Sequence, residues 1–328
     1  MYRFLLLAVT TALTVPAAPA AEPYWAGQLE LPRAWQLSEG ADIRIGLIDT
    51  GVAADPDLAG AMLPGADFPD VGAPAGDAIG HGTTMALLIA GRGIGGGTRG
   101  VAPRARILPA RLTGGAEDAV AAVRWAVDQG AKVVNISLGA GHSGETDYDS
   151  ALAYAKEHDV VVVAAAGNVG EDSEVTSPAD RPGVLAVSAV DRSGRFRDDV
   201  GVSGPAISFA APGVDISTSR PGERAPTSGT SQATALVSGA VALVRARYPE
   251  LSADEVTDQL ARTAKDLGAP GRDDRYGFGL IDPLAALSVT PPSSGVPWWA
   301  VALGIAAGLA VVVGGALVFR RRRRAAPG

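Results

Sequence analysis

Short β-branched runs alternate with helix-spaced runs along most of this chain, and the central runs are almost wholly apolar. Residues 160–165 read Val-Val-Val-Val-Ala-Ala, and residues 184–190 nearly repeat the pattern. A strand with no polar side must be covered on both faces, which is the situation of a parallel sheet sandwiched by helices. Strand-like runs at 43–48, 105–112 and 132–138 fit the same scheme, with helical spacing at 116–129, 150–158, 233–248 and 253–263 between or after them. The pattern predicts an α/β fold of three layers, with a mostly parallel central sheet and helices on both faces. Ligand sites in such sheets lie beyond the carboxyl ends of the strands. Asp49, the run Ser137-Leu138-Gly139 and the pair Gly167-Asn168 all fall at such ends.

Three glycine-set segments follow in the order acid, imidazole, hydroxyl: Ile48-Asp49-Thr50-Gly51, Gly80-His81-Gly82-Thr83 and Ser228-Gly229-Thr230-Ser231-Gln232-Ala233. A serine hydroxyl is hardly ionised near neutral pH, so it needs a base to take its proton as it attacks. The base in turn needs a carboxylate to hold its tautomer and stabilise the imidazolium. Ser231 stands at the start of a helical run with Gly229 just ahead. An N-cap role is compatible there with a nucleophilic one, because exposed N–H groups at a helix start also face a developing oxyanion.

With these residues in view, the chain resembles the subtilisin-like serine proteases over roughly residues 38–287. Residues 45–51 resemble the family's aspartate segment, 80–83 with Ala86 and Ala90-Gly91 its histidine helix, 100–103 the turn after it, and 228–233 its serine motif. Residues 135–139 resemble the strand lining the substrate cleft, and 165–168 the segment with the oxyanion asparagine. Ala235 stands where the family usually has proline. The resemblance implies Asp49, His81 and Ser231 as the catalytic triad, with the Asn168 amide and the Ser231 N–H as oxyanion donors. It also implies that Ser137, Leu138 and Gly139 pair with the substrate backbone as an added strand. No metal or cofactor is expected.

The two ends suggest targeting. Residues 1–20 read as a signal peptide, with a short apolar run closing in Ala18-Pro19-Ala20. Residues 298–319 are 22 uncharged apolar positions, long enough as a helix (about 33 Å) to cross a bilayer. Trp298 and Trp299 mark its outer edge, and five arginines, Arg320 to Arg324, follow at once, as the positive-inside preference requires of a cytoplasmic flank. The layout expected is a signal peptide at 1–20, an N-terminal extension at 21–40, a peptidase domain at 41–288, a Pro-rich linker at 289–297, a transmembrane helix at 298–319 and a basic cytoplasmic tail at 320–328. It places the protein in the plasma membrane by a single pass, with its catalytic domain extracytoplasmic. Six of the 28 basic residues fall outside 21–319, so 22 cations face 35 acids within it, a net charge of −13. An acidic exterior argues against nucleic acid as a partner.

Signal peptide, short extension with Trp25 and Trp35, protease body, tether and anchor together resemble the mycosins, membrane-anchored subtilases associated with type VII secretion. Mycosins commonly carry disulfides; this chain has no cysteine. The resemblance implies exported protein or peptide substrates and a secretion-system membrane complex as a partner. A structural role in such an assembly, with proteolysis secondary, is the alternative.

Other residues have plainer readings. His158 follows a helix and reads as structural, and His142 as a solvated loop residue. Asn135-Ile136-Ser137 matches a glycosylation sequon on a strand expected to be buried. The Gly93-Ile94-Gly95-Gly96-Gly97 run lacks a P-loop lysine and offers no carboxylate of its own, so a turn without an ion is expected.

Overall fold

The computed structural model describes residues 22–68, 76–113, 116–138, 148–218 and 225–291. Its strands are β1 (Arg44–Asp49), β2 (Ala66–Phe68), β3 (Arg106–Leu112), β4 (Val133–Ile136), β5 (Val161–Ala165), β6 (Val184–Val190) and β7 (Ile207–Pro212). They form one sheet in the order β2-β3-β1-β4-β5-β6-β7, and every pairing is parallel.

The helices are α1 (Tyr24–Gln28), α2 (Leu31–Ala34), α3 (His81–Ala90), α4 (Ala116–Asp128), α5 (Tyr148–Glu157), α6 (Thr230–Arg247), α7 (Ala253–Thr263) and α8 (Pro283–Ser288). Side-chain alternation along the strands divides the interior in two. Ile45, Leu47, Val133, Val161, Val163 and Val187 join the residues of α3 and α6 in one apolar cluster. Ile48, Val134, Ile136, Val162, Ala164 and Ala186 join those of α4 and α5 in the other. The all-apolar strands are therefore covered on both faces, and the layered α/β expectation holds.

Helix α6 is buried from Thr230 to Arg245. It lies inside the protein, packed against α3 and four strands at once, and its small and apolar side chains suit that burial. Helix α7 is amphipathic instead, and a capping box between Ser252 and Glu255 fixes its start. The segment read as an N-terminal extension folds as α1 and α2. It sends Trp25, Leu29 and Leu31 into the same cluster as α3 and α6, and the Trp25 indole donates to the Ser217 carbonyl at 3.2 Å.

The chain divides into two units, residues 1–288 and 289–328. All the elements above belong to the first, and only residues 289–291 of the second are described. The expected signal peptide at 1–20, the apolar span at 298–319 and the basic tail lie outside the described residues. Among the described residues no helix is long and apolar enough to cross a membrane.

Candidate active site

Register places the site. Ile48 pairs with Ile136, and Ile136 with Ala164, so Asp49, Ser137 and Ala165 leave three adjacent strands side by side at the carboxyl edge. Neighbouring strands lie about 4.8 Å apart, which brings segments distant in sequence within reach of one another.

Asp49 ends β1 at 1% exposure. Its Oδ1 accepts the Thr50 N–H at 2.7 Å and is 2.7 Å from His81 Nδ1. A carboxylate only accepts, so Nδ1 carries the proton and Nε2 keeps its lone pair in the neutral ring. Among the described residues, buried Asp49 Oδ2 has no hydrogen-bond partner. His81 opens α3 just after Gly80, whose φ of +81° turns the chain into the helix. Burial pushes the His81 imidazole down. The hydrogen bond and charge of Asp49, with the charges of Asp77 and Glu171, outweigh that and hold it above its ordinary value.

Gly82, directly after His81, is a steric necessity. A Cβ on Gly82 would lie 2.0 Å from the Gly51 carbonyl oxygen and 3.0 Å from Asp49 Oδ1. The first turn of α3 touches the loop after β1 there, and only a missing side chain permits the approach.

Ser231 is the second residue of α6, and Gly229 takes the N-cap position. The cap reading of Ser231 is therefore corrected: the cap lies two residues earlier. The Ser231 N–H is one of the first-turn amides that find no intrahelical acceptor. Its hydroxyl donates to the Ser137 carbonyl at 2.7 Å, one strand over from Asp49. Among the described residues no hydrogen bond joins Ser231 to His81. A serine hydroxyl reaches new partners by a χ1 rotation, and catalytic hydrogen bonds are often loose before substrate arrives.

Asn168 follows β5, held by Asp172, which accepts its backbone N–H at 3.0 Å. Its Oδ1 accepts the Thr230 N–H at 2.9 Å and the Thr230 hydroxyl at 3.2 Å. A backbone N–H can only donate, which fixes this atom as the oxygen and turns Nδ2 the other way. Among the described residues Nδ2 meets only Glu171 Oε2, at a weak 3.5 Å. Asn168 and Ser231 are thus joined through Thr230, a residue the sequence did not single out.

Ser137 and Leu138 follow β4 at this same edge, whereas Gly139 and His142 lie outside the described residues. Asn135 is fully buried. Its amide donates to the Ser137 hydroxyl at 2.8 Å and accepts from the Ser238 hydroxyl at 2.9 Å, so the sequon match has a structural explanation. The exposed His158 follows α5 and its Nδ1 contacts the Tyr154 carbonyl at 2.9 Å. A cleft of about 460 Å³ opens beside His81, bordered by Ile79, Thr84, Thr227 and Gln232 among others.

The glycine loop at 93–97 contains a short 3₁₀ turn at Ile94–Gly96 and is held from outside. A carboxylate does reach it: Asp57, 5% exposed, accepts the N–H groups of Ile94 at 2.6 Å and Thr98 at 2.8 Å. Among the described residues no cluster of three His, Cys, Asp or Glu side chains is placed to hold a metal ion.

The profile of the subtilase family, Peptidase_S8, matches residues 40–279. The chain belongs to the subtilase family. It is a subtilisin-type serine endopeptidase, related to the mycosins of type VII secretion. Subtilisin DY of Bacillus licheniformis is 37% identical over 258 residues, covering 76% of this chain and 92% of that protein. Mycosin-3 of Mycobacterium tuberculosis is 33% identical over 332 residues, covering 81% of this chain and 71% of that one. Among solved structures, MycP1 superposes with a TM-score of 0.73 at 32% identity, covering 84% of this chain and 91% of that one. It is described as a serine protease and an essential component of the type VII (ESX-1) secretion system.

Proposed function

We propose that this chain hydrolyses peptide bonds through an acyl-enzyme on Ser231, as a membrane-anchored extracytoplasmic endopeptidase of mycosin type. The observation that carries the reading is the 2.7 Å contact between buried Asp49 and His81 Nδ1, made at the sheet edge where Ser231 and Asn168 also sit.

Ser231 Oγ attacks the scissile carbonyl, and its proton passes to His81 Nε2. Asp49 holds the ring in the productive tautomer and stabilises the imidazolium. His81 then returns the proton to the leaving amine, and a water repeats the sequence on the acyl-enzyme. The negative charge that develops on the carbonyl oxygen meets the Ser231 N–H and Asn168 Nδ2. These donors act on charge present only in the transition state, so they raise the rate instead of merely tightening binding. Substrate pairs as an extended strand along Ser137, Leu138 and Gly139. A substrate N–H that takes the Ser137 carbonyl displaces the Ser231 hydroxyl and leaves it free to turn toward His81.

The signal-like start, the apolar run at 298–319 and the arginines after it support anchoring with the protease body outside. Resemblance to MycP1 supports a type VII secretion assembly as partner, and it also gives the structural reading its weight. Replacing Ser231 with Ala separates the two. With a diverse peptide library read by mass spectrometry, wild type yields discrete cleavage sites and Ser231→Ala yields none. Secretion that survives Ser231→Ala but fails when the whole chain is deleted makes the structural role the main one.

A further inference from the structure

We propose that Asp77, outside the triad, is a positioning residue that fixes His81 against Asp49 by tying together the two segments that carry them. This rests on the protease reading above.

The Asp77 carboxylate accepts four hydrogen bonds from two directions. Its Oδ1 takes the Gly80 N–H and the Thr50 hydroxyl, each at 2.8 Å. Its Oδ2 takes the Thr83 N–H at 2.8 Å and the Thr83 hydroxyl at 2.7 Å. Gly80 and Thr83 flank His81 at the start of α3. Thr50 follows Asp49, supplies it with an N–H, and accepts the Gly82 N–H on its hydroxyl at 3.1 Å. An ordinary helix cap accounts for the bonds to Gly80 and Thr83. It does not account for Thr50, which belongs to the loop after β1.

The carboxylate also contributes charge. Its partial burial works against ionisation, but the hydrogen bonds from Thr83, Thr50 and Gly80 prevail and hold it below the usual range, so it is anionic at neutral pH. The charged groups that bear on the His81 imidazole are Asp49 at the end of β1, Asp77 ahead of α3 and Glu171 in the loop after β5. No cation forms an ion pair with Asp77 among the described residues. Its charge therefore favours the imidazolium that forms when His81 takes the proton.

The tie and the charge separate by mutation in the full-length protein. Asp77→Asn keeps the size but removes the charge and places an NH₂ among N–H donors. His81 then titrates at lower pH, the acid limb of the rate profile moves down with it, and kcat falls about ten- to a hundred-fold with KM little changed. Thr50→Val keeps the charge and cuts the tie, so kcat falls while the His81 titration stays near that of wild type. With only three histidines in the chain, the titration is read directly by NMR, independently of turnover. If Asp77→Asn does not fold, Thr50→Val still tests the tie. Wild-type kcat in Thr50→Val, or an unmoved His81 titration in folded Asp77→Asn, overturns the proposal. A wild-type protein that neither cleaves peptides nor reacts with a phosphonate overturns the protease reading instead, and leaves the NMR result standing.

Discussion

Gly82→Ala sets two physical effects against each other at one atom. In an ordinary helix the change stabilises by up to about 1 kcal/mol, because glycine is a poor helix former. Here the added methyl would lie 2.0 Å from the Gly51 carbonyl oxygen and 3.0 Å from Asp49 Oδ1. Bringing the first contact to the 3.0 Å that real side chains barely reach requires α3 and the loop after β1 to part by about 1 Å. That displacement acts directly on the 2.7 Å contact between Asp49 and His81. Misplacement of this size costs about a hundred-fold in rate, or roughly 2.7 kcal/mol of transition-state stabilisation. The propensity gain acts on folding and does not offset that loss of rate, so activity should fall; overpacking of this kind costs about 1–3 kcal/mol of folding stability, which exceeds the gain, so stability should fall as well. The assay is kcat/KM on a chromogenic peptide anilide, with thermal unfolding measured on the same samples. A Gly82→Ala protein with wild-type kcat/KM and a raised Tm would refute the argument that close approach dictates glycine here.

Two further outcomes follow from the same geometry. Asn168→Ala removes an oxyanion donor and should lower kcat by about 10²–10³-fold with little change in KM, a magnitude taken over from a subtilisin; steady-state kinetics that show equal kcat would remove Asn168 from the hole. Asp57→Ala strips the Thr98 amide of its buried acceptor and should cost about 1–3 kcal/mol from that amide alone, read by chemical denaturation; a change below about 0.5 kcal/mol would show that the glycine loop does not depend on Asp57.

The layered sheet was legible in the sequence because fully covered strands have no polar face. Val160 to Ala165 and Val184 to Val190 therefore announced themselves. The edge strand β2 did not, being three half-buried residues between proline and glycine segments. Nor did β7, whose sequence Ile-Ser-Phe-Ala-Ala-Pro ends in a residue that cannot donate to a ladder. The proposed site was legible where chemistry restricts residue type, at Asp49, His81, Ser231 and Asn168. It was not where ordinary residues act through geometry. Thr230 holds the Asn168 amide through a backbone N–H that every residue but proline possesses. Asp77 reads in the sequence as one acid among 35, and only the fold reveals that Thr50 shares its carboxylate. Asp57 reaches a loop that begins 36 positions later, a contact no local pattern encodes. The resting serine is a further case: its hydroxyl lies on Ser137, a neighbour created by the packing of α6 against β4.

The most direct test of the account is covalent labelling with a fluorophosphonate, mapped by mass spectrometry. The adduct should sit on Ser231 in the wild-type protein and vanish in His81→Ala, because the hydroxyl without its base is too weak a nucleophile. An adduct on another residue, or undiminished modification of Ser231 in the absence of the imidazole, would contradict it.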